Sequence, residues 1–195
     1  MPYDLPSGDD DAELQQRIQL LTDRGLGEAT EQFDAFAADL ATAFAAQLGA
    51  GAEVPYAMVN LVTHQQQYFV GLHCPADKDQ VGRTMSRDHG YCPEVVRRGK
   101  ALVLPDVYAH PRFAANPVAD KIGIRTYAGA PLICDGALLG TVCIVGTTRL
   151  PLSTGEPSRA LIKDHAARLM SLIANDTSRG RHASSSTGDP ARAPG

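Results

Sequence analysis

Residues Arg125 to Gly146 read Arg-Thr-Tyr-Ala-Gly-Ala-Pro-Leu-Ile-Cys-Asp-Gly-Ala-Leu-Leu-Gly-Thr-Val-Cys-Ile-Val-Gly. Two runs rich in apolar and β-branched residues flank Asp135-Gly136. Both turn residues tolerate the positive φ of a type I′ turn, so this pattern is a strong short-range hairpin signal. It predicts strands over Thr126–Cys134 and Ala137–Val145. Counting outward from the turn sets Cys134 opposite Ala137 and Cys143 opposite Ala128, so these cysteines are not cross-strand partners. Gly129 and Gly140 lack a side chain and admit a close backbone or ligand. Pro131 withdraws one ladder donor, which suits a strand end, an edge or a bulge.

Upstream of the hairpin, Phe33, Phe36, Leu40, Phe44 and Leu48 recur at helical spacing after a start near Thr30, and Gly49 and Gly51 close the stripe. Val54–Val62 and Gln67–Leu72 read as strands around a polar turn, and Pro75 to Gly82 reads as loop. A helix of about two turns begins near Cys92-Pro93 and stops at Arg97-Arg98-Gly99. Ala101–Leu104 is a short strand cut by Pro105. Single helical turns are expected at Arg112–Ala115 and Val118–Gly123. Downstream, Ser153 and Glu156 fit a capping box, and Ile162, Ala166, Leu169, Leu172 and Ile173 form an apolar face, with Asn175 a fitting end. The resulting division is an extension with a short helix over 1–27, one domain over 28–176 and a Ser, Gly, Pro, Ala and Arg-rich disordered tail over 177–195.

The chain has 195 residues, of which 44% are hydrophobic, enough to build one core. Its net charge of −4 gives no general attraction to nucleic acid or anionic lipid. No apolar run is long enough to span a bilayer and the N-terminus is acidic, so a cytoplasmic protein is expected. The four cysteines contain no Cys-x-x-Cys pair, so free thiols are expected and a metal site is not.

Six segments in order carry a resemblance to the GAF domain family. They are the helix from Phe33, Pro-Tyr-Ala-Met-Val-Asn-Leu-Val, Gln-Gln-Tyr-Phe-Val-Gly-Leu, the Gly-Tyr-Cys-Pro helix start, Leu-Val-Leu-Pro-Asp-Val with His-Pro-Arg-Phe-Ala-Ala-Asn-Pro-Val, and the hairpin. The resemblance covers about Phe33 to Ile173. It implies an α+β fold: a central antiparallel sheet of five or six strands, with the N-terminal and C-terminal helices on one face. Loops and short helices cover the other face, where ligands bind. It also implies a stand-alone sensory domain that binds a small molecule, signals to a protein partner and forms a homodimer. The stripes on Phe33–Leu48 and Ile162–Ile173 could serve the sheet, a dimer seam, or both.

Asp88, His89, Tyr91, Cys92, Asp106, Arg125 and Tyr127 flank the region where family members hold ligands. Arg125 suits a carboxylate or phosphate, and Tyr91 or Tyr127 suits a ring. Alternatively these groups anchor loops, with Asp106 capping its local turn. Cys92 at a helix start is the candidate redox thiol, with Cys74 a candidate partner; a small buried residue is the competing reading. Methionine sulfoxide reductase activity is not expected, because in that branch of the family the nucleophilic cysteine precedes the hairpin, and Tyr108–Arg125 contains none. Bilin attachment fails for the same reason, since His110 has no adjacent cysteine. Haem is not expected from His64, His73, His89 or His110, each an isolated loop histidine. A cyclic nucleotide is disfavoured because Gly146-Thr147-Thr148-Arg149 stands where the family's nucleotide motif begins.

Overall fold

Thr30 begins the first long helix: its side chain accepts the Phe33 N–H at 3.2 Å, which satisfies one free donor of α1 (Glu31–Leu48). The stripe predicted on α1 is buried at Phe33, Phe36, Leu40 and Phe44, and Gly49 ends the helix at φ 106°. This is a computed structural model that describes residues 19, 26–63 and 66–184, with side chains to residue 174. The short N-terminal helix expected around Leu14 to Leu21 and the last part of the expected tail lie outside the described residues.

The sheet follows as β1 (Tyr56–Val62), β2 (Gln66–His73), β3 (Thr84–Ser86), β4 (Leu102–Leu104), β5 (Thr126–Cys134) and β6 (Ala137–Gly146). All neighbours pair antiparallel in the order β3-β2-β1-β6-β5-β4. The long hairpin therefore supplies an inner strand, β6, and joins it to β1. Asp135 and Gly136 both have positive φ, 50° and 81°, as the Asp-Gly turn requires. β3 follows the expected loop of Pro75 to Gly82 and is not among the expected strands; three residues with little burial carry no alternation to detect.

The register departs from simple counting. Cys134 pairs with Ala137, but an irregularity between Leu132 and Ile133 moves every later pair by one, so Cys143 faces Gly129 rather than Ala128. A bulge of this kind is invisible in a two-residue period.

Between β3 and β4 lies α2 (Cys92–Arg98), closed by Gly99 at φ 57°, a left-handed cap that glycine takes without penalty. Between β4 and β5 come a 3-10 turn (Val107–Ala109), α3 (Pro111–Ala114) and α4 (Pro117–Lys121). The last helix, α5 (Gly155–Ser184), runs past Asn175, because no proline interrupts it there and Gly180 is tolerated. Its start also differs from the expected capping box: Leu152–Thr154 form a 3-10 turn, and the Glu156 carboxylate pairs with Arg159 at 2.9 Å.

Strand alternation divides the interior into two layers. Ala57, Val59, Leu61, Val70, Ala128, Ala130 and Val142 meet α1 and α5 on one face. Tyr56, Met58, Phe69, Tyr127, Cys143 and Val145 face α2 and the segment before β5 on the other. The apolar stripes of α1 and of Ile162, Leu169 and Ile173 are thus spent within the chain. Among the described residues no helix is long and apolar enough to cross a membrane.

α1 is clamped to β2 by backbone proximity and charge. A β-carbon at Gly71 would stand 2.4 Å from the Phe33 carbonyl oxygen, so only glycine lets the helix lie this close. Asp34 accepts the Leu72 N–H at 2.8 Å and pairs bidentately with Arg83 at 3.1 and 2.6 Å.

Candidate functional site

The face under α2 carries a polar track within an apolar layer. On the central strands β1 and β6, Asn60 and Thr141 are directly opposed. Both are fully buried at 0% exposure. The Asn60 amide donates to Gln67 Oε1 at 2.8 Å. The Gln67 amide donates in turn to the carbonyls of Ser86 at 2.9 Å and His89 at 2.6 Å. Gln67 thereby ties the turn leading into Cys92 down to the sheet. Asn60 Oδ1 and Thr141 Oγ1 are left without hydrogen-bond partners. Leaving buried polar atoms unpaired costs about 1–3 kcal/mol each, which is uncommon in native interiors.

Cys92 and Val95 are the two buried residues of α2 and press it onto this layer. The Cys92 sulfur lies 3.5 Å from that of Cys143 on β6 and accepts a hydrogen bond from the Tyr127 hydroxyl at 3.4 Å. Hydrogen bonding by the Cys143 thiol works against burial to hold the Cys92 thiol below its usual range, so Cys92 is the more acidic of the pair. The Tyr127 hydroxyl adds to this. The hydrogen bond with Cys92, with burial, pushes the Cys143 thiol up. Burial raises the Tyr127 phenol well above its usual range, so it keeps its proton and remains a donor. Cys143 lies 3.9 Å from the Met58 sulfur. Tyr91 stacks at a tilt on Tyr127, with ring centroids 5.2 Å apart, and burial pushes its phenol up to about 12.

The start of α2 is also tied to the segment above it. Gly90, at φ 76°, donates its N–H to Asn116 Oδ1 at 3.0 Å and accepts from the Asn116 amide at 2.7 Å. Asn116 also caps α4 through the Val118 N–H. Any displacement of the Cys92 end of α2 therefore loads the 110–124 segment directly.

The seven residues singled out from sequence fall into separate groups. Tyr91, Cys92 and Tyr127 meet in the buried cluster. Asp106 and Arg125 form a second, more exposed group. Asp106 accepts the Tyr108 N–H at 3.1 Å and faces Arg125 at 3.3 Å, and the guanidinium lies over the Tyr108 ring at 5.0 Å. Here the loop-anchoring reading describes what these side chains do. Asp88 is exposed on a turn, and His89 contributes its backbone carbonyl to Gln67. Cys74 is half-buried after β2, at the edge of the same layer. Asn60, Gln67, Thr141 and Cys143 were not singled out. The signal was available for three of them: a polar residue at an inward position of an apolar strand. An open groove of about 860 Å³ between α5 and the β4–β5 edge is lined by Arg98, Lys100, Lys163 and Met170, among others, but by none of the seven.

A six-stranded antiparallel sheet with long helices on one face, and short helices over a buried cluster on the other, defines a two-layered α+β domain. The family profile described as GAF domain matches residues 37–178, and the chain belongs to the GAF domain family. No curated protein sequence matches it. Among solved structures it is similar to the GAF domain of a phosphoenolpyruvate-protein phosphotransferase from Acinetobacter, at 14% identity and TM-score 0.51, over 90% of this chain and 99% of that one. It is also similar to a free methionine-R-sulfoxide reductase from Neisseria meningitidis solved with its substrate, at 19% identity and TM-score 0.53, over 92% and 97% of the two chains. The blue-light-absorbing PixJ GAF domain of Thermosynechococcus elongatus matches at 12% identity and TM-score 0.52, over 88% and 95%. At these identities the likeness concerns the fold.

Proposed function

We propose that this GAF domain is a sensory module that takes a small molecule bearing an N–H or O–H donor into the layer beneath α2. The observation that carries this reading is the orphaned pair Asn60 Oδ1 and Thr141 Oγ1, fully buried and directly opposed on the two central strands. A ligand donor would satisfy the Asn60 oxygen, and the Thr141 hydroxyl can accept or donate. Tyr91 and Tyr127 offer ring faces beside them. Tyr127, on β5, already occupies the space over Gly129, and the 106–124 segment covers the same layer, so binding requires both to move. Ligand binding then shifts the population of that segment.

The output surface in this reading is the outer side of α1 and α5, against a signalling partner or a second copy. The inner stripes are used by the sheet, and Leu172 on α5 is 42% exposed. The test is thermal shift of the full chain against a panel of small polar metabolites, repeated with Asn60→Leu. The reading requires a compound that raises the Tm of the parent chain and leaves that of Asn60→Leu unchanged. Equal stabilisation of both would refute it.

A further inference from the structure

We propose that Cys92 and Cys143 are a two-electron redox pair that closes to a reversible disulfide on reaction with a hydroperoxide. The sulfurs are already in contact at 3.5 Å, although the residues lie 51 positions apart. A disulfide of about 2.05 Å needs them to close by roughly 1.5 Å. α2 is a short helix between Gly90 and Gly99, both at positive φ, and is the element that must carry Cys92 toward the central strand. Gly129 opposite Cys143 has no side chain of its own, and the Tyr127 ring fills that space with its hydroxyl against the Cys92 sulfur. The remaining cysteines are placed differently: Cys134 sits in the helix-side layer, and Cys74 at the end of the sheet's second strand.

The roles of the two sulfurs follow from their hydrogen bonds. Cys92 accepts a hydrogen bond from the Tyr127 hydroxyl, which favours its thiolate, the nucleophilic form. Its sulfur attacks one oxygen of the peroxide. The O–O bond breaks, Cys92 becomes a sulfenic acid, and hydrogen peroxide releases water. The Cys143 sulfur then attacks the Cys92 sulfur. The S–S bond forms, the S–O bond breaks, and the departing hydroxyl leaves as water with the Cys143 proton. The sum is two thiols and one hydrogen peroxide giving one disulfide and two waters. Burial at 5% and 1% exposure favours a water-sized oxidant over a bulky disulfide such as oxidised glutathione. The Gly90–Asn116 hydrogen bonds would carry the movement of α2 to the 110–124 segment, giving the oxidised state a distinct surface.

The test uses the full native chain, equimolar hydrogen peroxide, intact mass and non-reducing peptide mapping. The expected result is a loss of about 2 Da, a linked Cys92–Cys143 peptide, and reversal by dithiothreitol, with Cys74 and Cys134 still alkylatable. Cys143→Ala should leave a Cys92 sulfenic acid that dimedone traps. The proposal is overturned if the pair stays reduced, if the mapped bridge uses Cys74 or Cys134, or if Cys92 passes directly to sulfinic acid. The parent-chain map decides even where Cys143→Ala does not fold. No ligand enters this measurement, so its outcome is independent of the ligand reading.

Discussion

The Tyr127 hydroxyl lies over Gly129 so closely that a β-carbon there would stand 2.2 Å from the oxygen and 2.7 Å from the ring carbon bearing it. The glycine that invites a ligand in the sequence instead receives the chain's own phenol, which it aims at Cys92. Gly129→Ala should therefore cost about 1–3 kcal/mol through overpacking. Tyr127→Phe removes only the nearer atom. The double variant should thus be less destabilised than the sum of the single ones, as read by urea unfolding.

Gly71 and Gly82 should respond oppositely to alanine. At Gly71 the new carbon meets the Phe33 backbone, which cannot rotate away, so a loss of about 3 kcal/mol is expected. At Gly82 nothing lies within 4 Å, and alanine should gain about 0.4–1 kcal/mol by restricting the unfolded chain. Chemical denaturation of the two variants checks both signs.

Acid should weaken the fold through Glu53. Burial opposes its charge, but the Lys78 ammonium and the Thr147 and Thr148 hydroxyls hold the carboxyl down to about 2, from an ordinary value of 4.5. A depressed carboxyl contributes stability that is complete above the unfolded value and disappears as pH falls through the folded one. Glu53→Gln should cost on the order of 1–2 kcal/mol at pH 7 and flatten the loss of stability between about pH 4.5 and 2. Unfolding curves across that window measure it.

Two threonines in one sheet provide a contrast. The Thr126 hydroxyl contacts the Pro105 and Thr148 carbonyls at 3.0 and 2.6 Å, whereas Thr141 Oγ1 has no partner. Thr126→Val should lose about 1–3 kcal/mol. Thr141→Val should be neutral, or more stable by up to about 1 kcal/mol, in the absence of ligand. Melting temperatures of the two variants separate a structural hydroxyl from one held in reserve.

The hairpin, the α1 stripe and the Gly99 stop were legible because each rests on local chemistry: turn φ, helical period and a left-handed cap. The Cys92–Cys143 contact was not. It depends on the irregularity at Leu132–Ile133, which sets Cys143 opposite Gly129, and on where a loop lowers α2, and neither has a sequence period. Charge at Arg125 and Asp106 is ambiguous in one dimension between a ligand group and a loop anchor, and only the fold shows that the two face each other at 3.3 Å. Asn60 and Thr141 were visible as polar breaks in apolar strands, but only the strand pairing shows that they oppose one another.

The most direct measurement is protein-observed NMR of the full chain against a library of small hydrogen-bond donors, following the Asn60 side-chain amide and the Thr141 methyl. The account predicts a compound that shifts both signals, with binding weakened at least tenfold in Asn60→Leu. Binding that leaves both signals in place, or that is unchanged in Asn60→Leu, would contradict it.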